Sequence, residues 1–158
     1  MSANALGNYR RVNTRVWDDA KFRTLDLSSK MLWMYLLCAP ETCALPGIHV
    51  SRRLQMAESA MLADPADFDR AFAQLEERGM VKAAWEARLV WLPNAFRYNQ
   101  PLNPSVSVAW VRELAKLPAC ALRDEIGASM YAYVSARGKG FEQALRKAGL
   151  REDGGLQP

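Results

Sequence analysis

Histidine is almost missing from this chain: His49 stands alone. The three cysteines, Cys38, Cys43 and Cys120, are odd in number and form no CxxC pair. Neither a disulfide framework nor a four-ligand zinc site is therefore expected. The thiols read as plain buried side chains, because free cysteine packs as a small hydrophobe, and His49 reads as a satisfied structural histidine. There is no GxxxxGK phosphate loop and no nucleophile elbow. The adjacent acids Asp18-Asp19 and Glu76-Glu77 do not face one another across a cleft. No enzyme activity, no metal and no cofactor are expected. The longest apolar run, Met31 to Ala39, is far shorter than the ~20 residues that span a bilayer. The start, MSANALGNYRR, lacks the apolar stretch of a signal peptide. A cytoplasmic protein with no membrane partner is the expectation. Internal repeats and low-complexity segments are absent as well.

What remains is an ordinary globular composition: 158 residues, half of them apolar and 24% charged. That suits one domain, or one domain with an extension. The net charge of +4 and a pI near 9.1 lean mildly towards anionic partners.

Residues 1–9 are small, polar and without periodicity, as in an unstructured terminus. Trp17, Phe22 and Leu25 are spaced for a short helical turn pressed on a core. A helix over about 29–39, capped by Ser28 or Ser29, is apolar all round from Met31 to Leu37 and needs cover on several faces; Pro40 stops it. Pro46-Gly47 marks a turn, and Ile48, His49 and Val50 suit a very short strand. Ser51 is placed to cap a helix over 52–61 with Leu54, Ala57 and Met61 inward. Asp64-Pro65 is a strong helix start, Phe68, Ala71, Phe72 and Leu75 recur at helical spacing, and Gly79 suits the exit. Met80–Trp85 and Arg88–Leu92 read as strands joined by a tight turn at Glu86-Ala87. A proline-marked connector, NAFRYNQPLNPS, leads to helices over about 105–117 and 119–137 and a last short one over 141–148.

Helix, short strand, helix, helix, hairpin is the order of a winged helix-turn-helix. The expected fold class is thus mainly α with a small β-hairpin. The expected boundaries are 10–100 for the winged helix-turn-helix, 101–150 for a C-terminal helical extension packed on it and 151–158 for a frayed tail. The stripes from Val106 and Leu122 are expected to cover the apolar helix at 31–37; the alternative is a homodimer through the same helices.

The run YRRVNTRVWDDAKFRTLDLSSKMLWMYLLCAP, then LPGIHVS, then LEERGMVKAAWEARLVWLPNAFRYNQPLNPSV resembles the N-terminal winged-helix domain of phage replication proteins, the replisome organisers and their primosomal relatives. The resemblance spans residues 9–112. It implies binding of double-stranded DNA at an origin and a role in starting replication, with a helicase or its loader as further partner. Such proteins often carry a second part that engages the helicase, for which the chain leaves little length after the shared region. A winged-helix transcriptional regulator and a protein-interaction adaptor with the same fold are the alternatives.

Candidate DNA contacts follow from the element order. Arg52 and Arg53 open the helix that crosses the DNA backbone, where free amides and two guanidiniums make a phosphate seat. Arg70, Gln74 and Arg78 share an outer flank of the third helix; Arg reads guanine and Gln reads adenine in the major groove. Against this, residues 64–78 hold Asp64, Asp67, Asp69, Glu76 and Glu77, and an acidic helix is repelled by phosphate. Lys82 and Arg88 flank the wing tip and Arg97 follows it; charged wing residues also blunt an exposed edge. Arg10, Arg11 and Arg15 form an N-terminal group. Arg137, Lys139, Arg146, Lys147 and Arg151 stand against only Glu142, which reads either as a second backbone contact or as a solvated helix end.

Overall fold

The computed structural model describes residues 12–39, 43–62 and 64–157. The expected unstructured start, Arg10, Arg11 and the Pro40 stop lie outside the described residues. After a 3-10 turn at Thr14–Asp18 come α1 Ala20–Arg23, α2 Leu27–Cys38, β1 Ile48–Val50, α3 Arg53–Ser59, α4 Pro65–Glu77, β2 Lys82–Ala84, β3 Leu89–Trp91, α5 Ala95–Tyr98, α6 Pro104–Lys116, α7 Ala121–Ser135 and α8 Lys139–Lys147. The chain is mainly helical, with a three-stranded antiparallel sheet in the order β1-β3-β2. Among the described residues no helix is long and apolar enough to cross a membrane.

Local chemistry explains most boundaries and corrects some. The Asp64 carboxylate accepts from the Ala66 amide at 3.0 Å, Pro65 begins α4, and Gly79 leaves it at φ +64°. α2 begins two residues early because Asp26, not Ser28 or Ser29, is the cap: it accepts from the Ser29 amide at 2.8 Å. Ser28 instead donates to Asp67 at 2.9 Å, and Ser29 is buried. Ser51 does not cap α3 either; its hydroxyl donates to the Arg52 carbonyl, and Arg52 is the capping position without a side-chain bond. Leu54 and Met61, expected inward, are 65% and 74% exposed, while Met56, Ala57 and Ala60 are buried. A two-turn helix meets its neighbour through one narrow stripe, and α3 turns that stripe towards α4. Trp17 is also largely exposed, with its ring edge-on to buried Phe22 at 5.4 Å.

The sheet divides two cores. His49, Ala83 and Val90 are register partners; Val90 and Ala83 join Phe22, Leu32, Leu36, Met56, Phe68, Phe72 and Leu75. His49 Nε2 lies 2.9 Å from the Leu36 carbonyl, and since a carbonyl only accepts, this nitrogen carries the proton. Strand alternation sends Ile48, Leu89 and Trp91 to the other side, where they meet Phe96, Trp110, Leu114, Ile126, Met130 and Leu145. The C-terminal helices therefore cover the back of the sheet. They do not cover α2, whose cover comes chiefly from α4 and which keeps Leu27 and Met31 exposed. β3 is buried at all three positions, as a strand sandwiched between helical layers must be.

Three further differences matter. The connector contains α5, which drives Phe96 into the second core. Cys38 is exposed and Cys43 and Cys120 are only partly covered, so the expectation of buried thiols fails; Cys38 lies on the uncovered outer side of α2. Residues 150–157 are not frayed: Leu150 pairs with Leu156, and Gly154 is buried against α7.

Candidate nucleic-acid interface

The Ser51 amide donates to the Arg88 carbonyl at 2.9 Å, extending the β1–β3 ladder one step past Val50 and Leu89. This bond brings the entry of α3 and the hairpin tip to one end of the sheet. Arg88 sits at φ +54°, and its amide closes the turn on the Trp85 carbonyl at 3.0 Å. A left-handed arginine is uncommon; what holds it is the strand pairing on one side and Trp85 on the other. The strands are shorter than expected because Trp85 leaves the ladder to lay its ring on Phe72 and Phe68, at 4.8 and 6.2 Å. Arg52 and Arg88 are both exposed and make no ion pair among the described residues. Arg53 pairs with Asp69 of α4 and lies over the Trp85 ring at 6.0 Å, so its charge is partly spent.

Lys82 and Arg97 do not join this group. Register places Lys82 opposite Trp91, at the far end of the hairpin from the tip, where it stacks over that indole and pairs with Glu125 of α7. Arg97 lies on α5, which follows that same Trp91 end of β3, stacked on its neighbour Tyr98 at 5.9 Å.

The flank of α4 assigned to base reading faces the α1–α2 junction instead. Gln74 accepts the Asp26 amide at 3.0 Å. Arg78 donates to the Thr24 carbonyl at 3.3 Å, and Lys21 donates to the Arg78 carbonyl at 2.7 Å. Arg70 pairs with Asp67 and lies 3.6 Å from Asp26. Arg70 of α4 and Arg78 at its C-terminal cap are thus both engaged, and the exposed positions of α4 include Ala66, Ala73, Glu76 and Glu77. Periodicity identifies the apolar stripe of a helix but not what its polar flank will meet. Sequence reading missed Asp26 and Asp69, which receive Arg70 and Arg53 across separate elements and so leave no local signal, and the lone aromatic Trp85 inside a tight turn.

Comparison with protein-family models, with curated proteins and with solved structures finds no match for this chain.

Asp26 is the centre of the α4–α2 contact. The Ser29 amide, then its hydroxyl, hold the Asp26 carboxyl below its ordinary range; burial opposes them, and Arg70 and then Arg78 add smaller lowering effects. Gln74 supplies the acceptor for the Asp26 amide that a capping box would draw from the third helical residue. Replacing Gln74 with Ala should then cost about 1–2 kcal/mol in urea unfolding and leave DNA affinity unchanged. Unchanged stability together with a relaxed base preference would return Gln74 to the groove. Among the described residues no group of three His, Cys, Asp or Glu side chains is arranged to hold a metal.

Proposed function

We propose that this chain is a double-stranded DNA-binding module of the winged-helix kind, without enzyme activity, that grips the duplex backbone with Arg52 and Arg88. The observation that carries the reading is the Ser51–Arg88 backbone hydrogen bond, which brings two exposed arginines, Arg52 and Arg88, to the same end of the sheet. The element order and the sheet order β1-β3-β2 support the fold assignment: a short strand after the first main helix pairs with the second strand of the hairpin. The resemblance of residues 9–112 to phage replication proteins supports a setting in replication initiation, with a helicase or its loader as partner. Arg70, Gln74 and Arg78 are withdrawn as base readers, so the grip is one of phosphate contacts.

The test is binding of a 30-base-pair duplex by fluorescence anisotropy across a salt series, with Arg52→Gln/Arg88→Gln beside the native chain. Each phosphate contact contributes about 0.9 to the slope of log affinity on log salt. The double variant should lose about 2 in slope and bind roughly tenfold more weakly, for all sequences alike. An unchanged affinity and slope would favour a second reading, an adaptor that kept the fold and docks a protein on the acidic exposed side of α4, where Glu76 and Glu77 are exposed and make no ion pair among the described residues.

A further inference from the structure

We infer that the outer face of α8 is a second DNA-backbone contact, separate from the end of the sheet that carries Arg52 and Arg88. The inference rests on the DNA-binding reading and extends it to a different surface.

The charge distribution comes first. Residues 137–151 hold Arg137, Lys139, Arg146, Lys147 and Arg151 against Glu142, an excess of four positive charges that equals the net +4 of the whole chain. Glu152 and Asp153 follow at once, so the excess that stays clear of acids is on α8 itself, where Lys139, Arg146 and Lys147 stand against Glu142. Packing then fixes which way this charge points. α8 rests on α6 and α7 through Leu145, with Phe141 and Ala148 partly covered. Lys139, Gln143 and Lys147 lie at spacings of four on the opposite side and are exposed. At 1.5 Å per residue they form a row about 12 Å long; Arg151, beyond it, is paired with Asp153 and is not part of the row.

The acid within this span is neutralised internally. Glu142 accepts the Tyr131 hydroxyl at 3.1 Å and two guanidinium nitrogens of Arg146 at 3.1 and 3.0 Å, and Arg146 lies over the Tyr131 ring. Arg137 is likewise occupied, donating to the Pro101 carbonyl and covering Phe141 at 4.7 Å. Lys139 and Lys147 are left with no ion pair among the described residues. Lysine ammoniums are point charges on flexible stems: they suit a phosphate backbone and read no base edge. A structural ion-pair face would interleave acids with these lysines, as α4 does with its arginines, and this face does not.

The experiment uses the full chain and the same duplex and salt series. Lys139→Gln/Lys147→Gln should weaken binding about tenfold at moderate salt and lower the slope by about 2; both side chains are exposed, so the thermal midpoint should stay put. Combining it with Arg52→Gln/Arg88→Gln should lower the slope by about 4, since separate contacts add. A native slope in the lysine variant, with the arginine variant impaired, would overturn the α8 contact and leave the sheet-end grip standing. The reverse pattern would establish α8 and remove the sheet end. Absence of duplex binding by the native chain would sink both. Loss of binding to phosphatidylserine vesicles in the lysine variant, with its duplex slope unchanged, would assign the face to lipid and overturn the inference.

Discussion

A chain cut after Gln100 should fail to reach a cooperative fold, although it would retain every element from α1 to α5. Removing residues 101–158 takes away α6, α7 and α8, and with them the cover of Leu45, Ile48, Leu89, Trp91 and Phe96, each at most 2% exposed in the whole protein. Re-exposing one such side chain forfeits about 1.5–3 kcal/mol. Five of them sum to roughly 10 kcal/mol, which is the size of the entire stability of an ordinary domain. The other core, around Phe68 and Leu36, would survive on paper, but the strands that wall it are three residues long and depend on both faces being covered. The expected observations are aggregation, or a broad thermal transition with loss of near-ultraviolet dichroism. Because a truncated chain can fail for trivial reasons, Leu114→Ala in the full chain is the second measurement. Leu114 is 0% exposed in the centre of that core and its truncation should cost about 2–5 kcal/mol. A cut chain with the thermal midpoint of the full protein, together with a mild Leu114→Ala, would show that the second core contributes nothing.

Much of this arrangement was legible in the residues, for physical reasons that also explain the misses. Asp64-Pro65 and Gly79 bracket α4 correctly because capping and positive-φ preferences are local. The burial of Phe68, Ala71, Phe72 and Leu75 follows from 3.6-residue periodicity. The order of the helices and strands was readable from the same local signals. What α4 does with its polar flank was not, since Gln74 and Arg78 bond to residues about 50 positions away. The two-sided burial of β3 left a trace in the uninterrupted apolar run of Leu89, Val90, Trp91 and Leu92, the pattern of a strand covered on both faces. Lys82 was misplaced at the wing tip although the turn falls at Trp85–Ala87, close to where it was expected; register sets Lys82 opposite Trp91, at the far end of the hairpin. Of the eight proposed DNA contacts, the fold gathers the adjacent Arg52 and Arg53 with Arg88, which is far from them in sequence and is brought to them by the β1–β3 pairing.

The second large effect concerns glycines whose importance is invisible to propensity. Gly127 lies inside α7, where alanine is ordinarily better by about 1 kcal/mol, so Gly127→Ala ought to stabilise the helix. In this protein a Cβ at position 127 would meet the carbonyl oxygen of Gly154 at 2.5 Å. Gly154 in turn sits at φ +86°, and a Cβ there would lie 1.8 Å from the Asp124 carbonyl oxygen. Both obstacles are backbone and neither can swing aside. The C-terminal segment reaches this position by turning back on itself: Leu150 pairs with Leu156, the Arg151 amide donates to the Gly155 carbonyl at 2.9 Å and the Gln157 amide to the Gly149 carbonyl at 2.8 Å. Either substitution must undock that hairpin from α7 and expose buried Leu150, so the clash outweighs the helix-propensity gain. We expect a loss of about 2–4 kcal/mol for each in denaturant unfolding, the range of steric and strained-backbone mutations. Gly155→Ala supplies the contrast: the atoms nearest its Cβ would be those of the Arg151 guanidinium, and that flexible end can move, so the loss should stay below about 1 kcal/mol. If Gly127→Ala instead stabilises the protein by its helix-propensity increment, the C-terminal hairpin does not rest on α7.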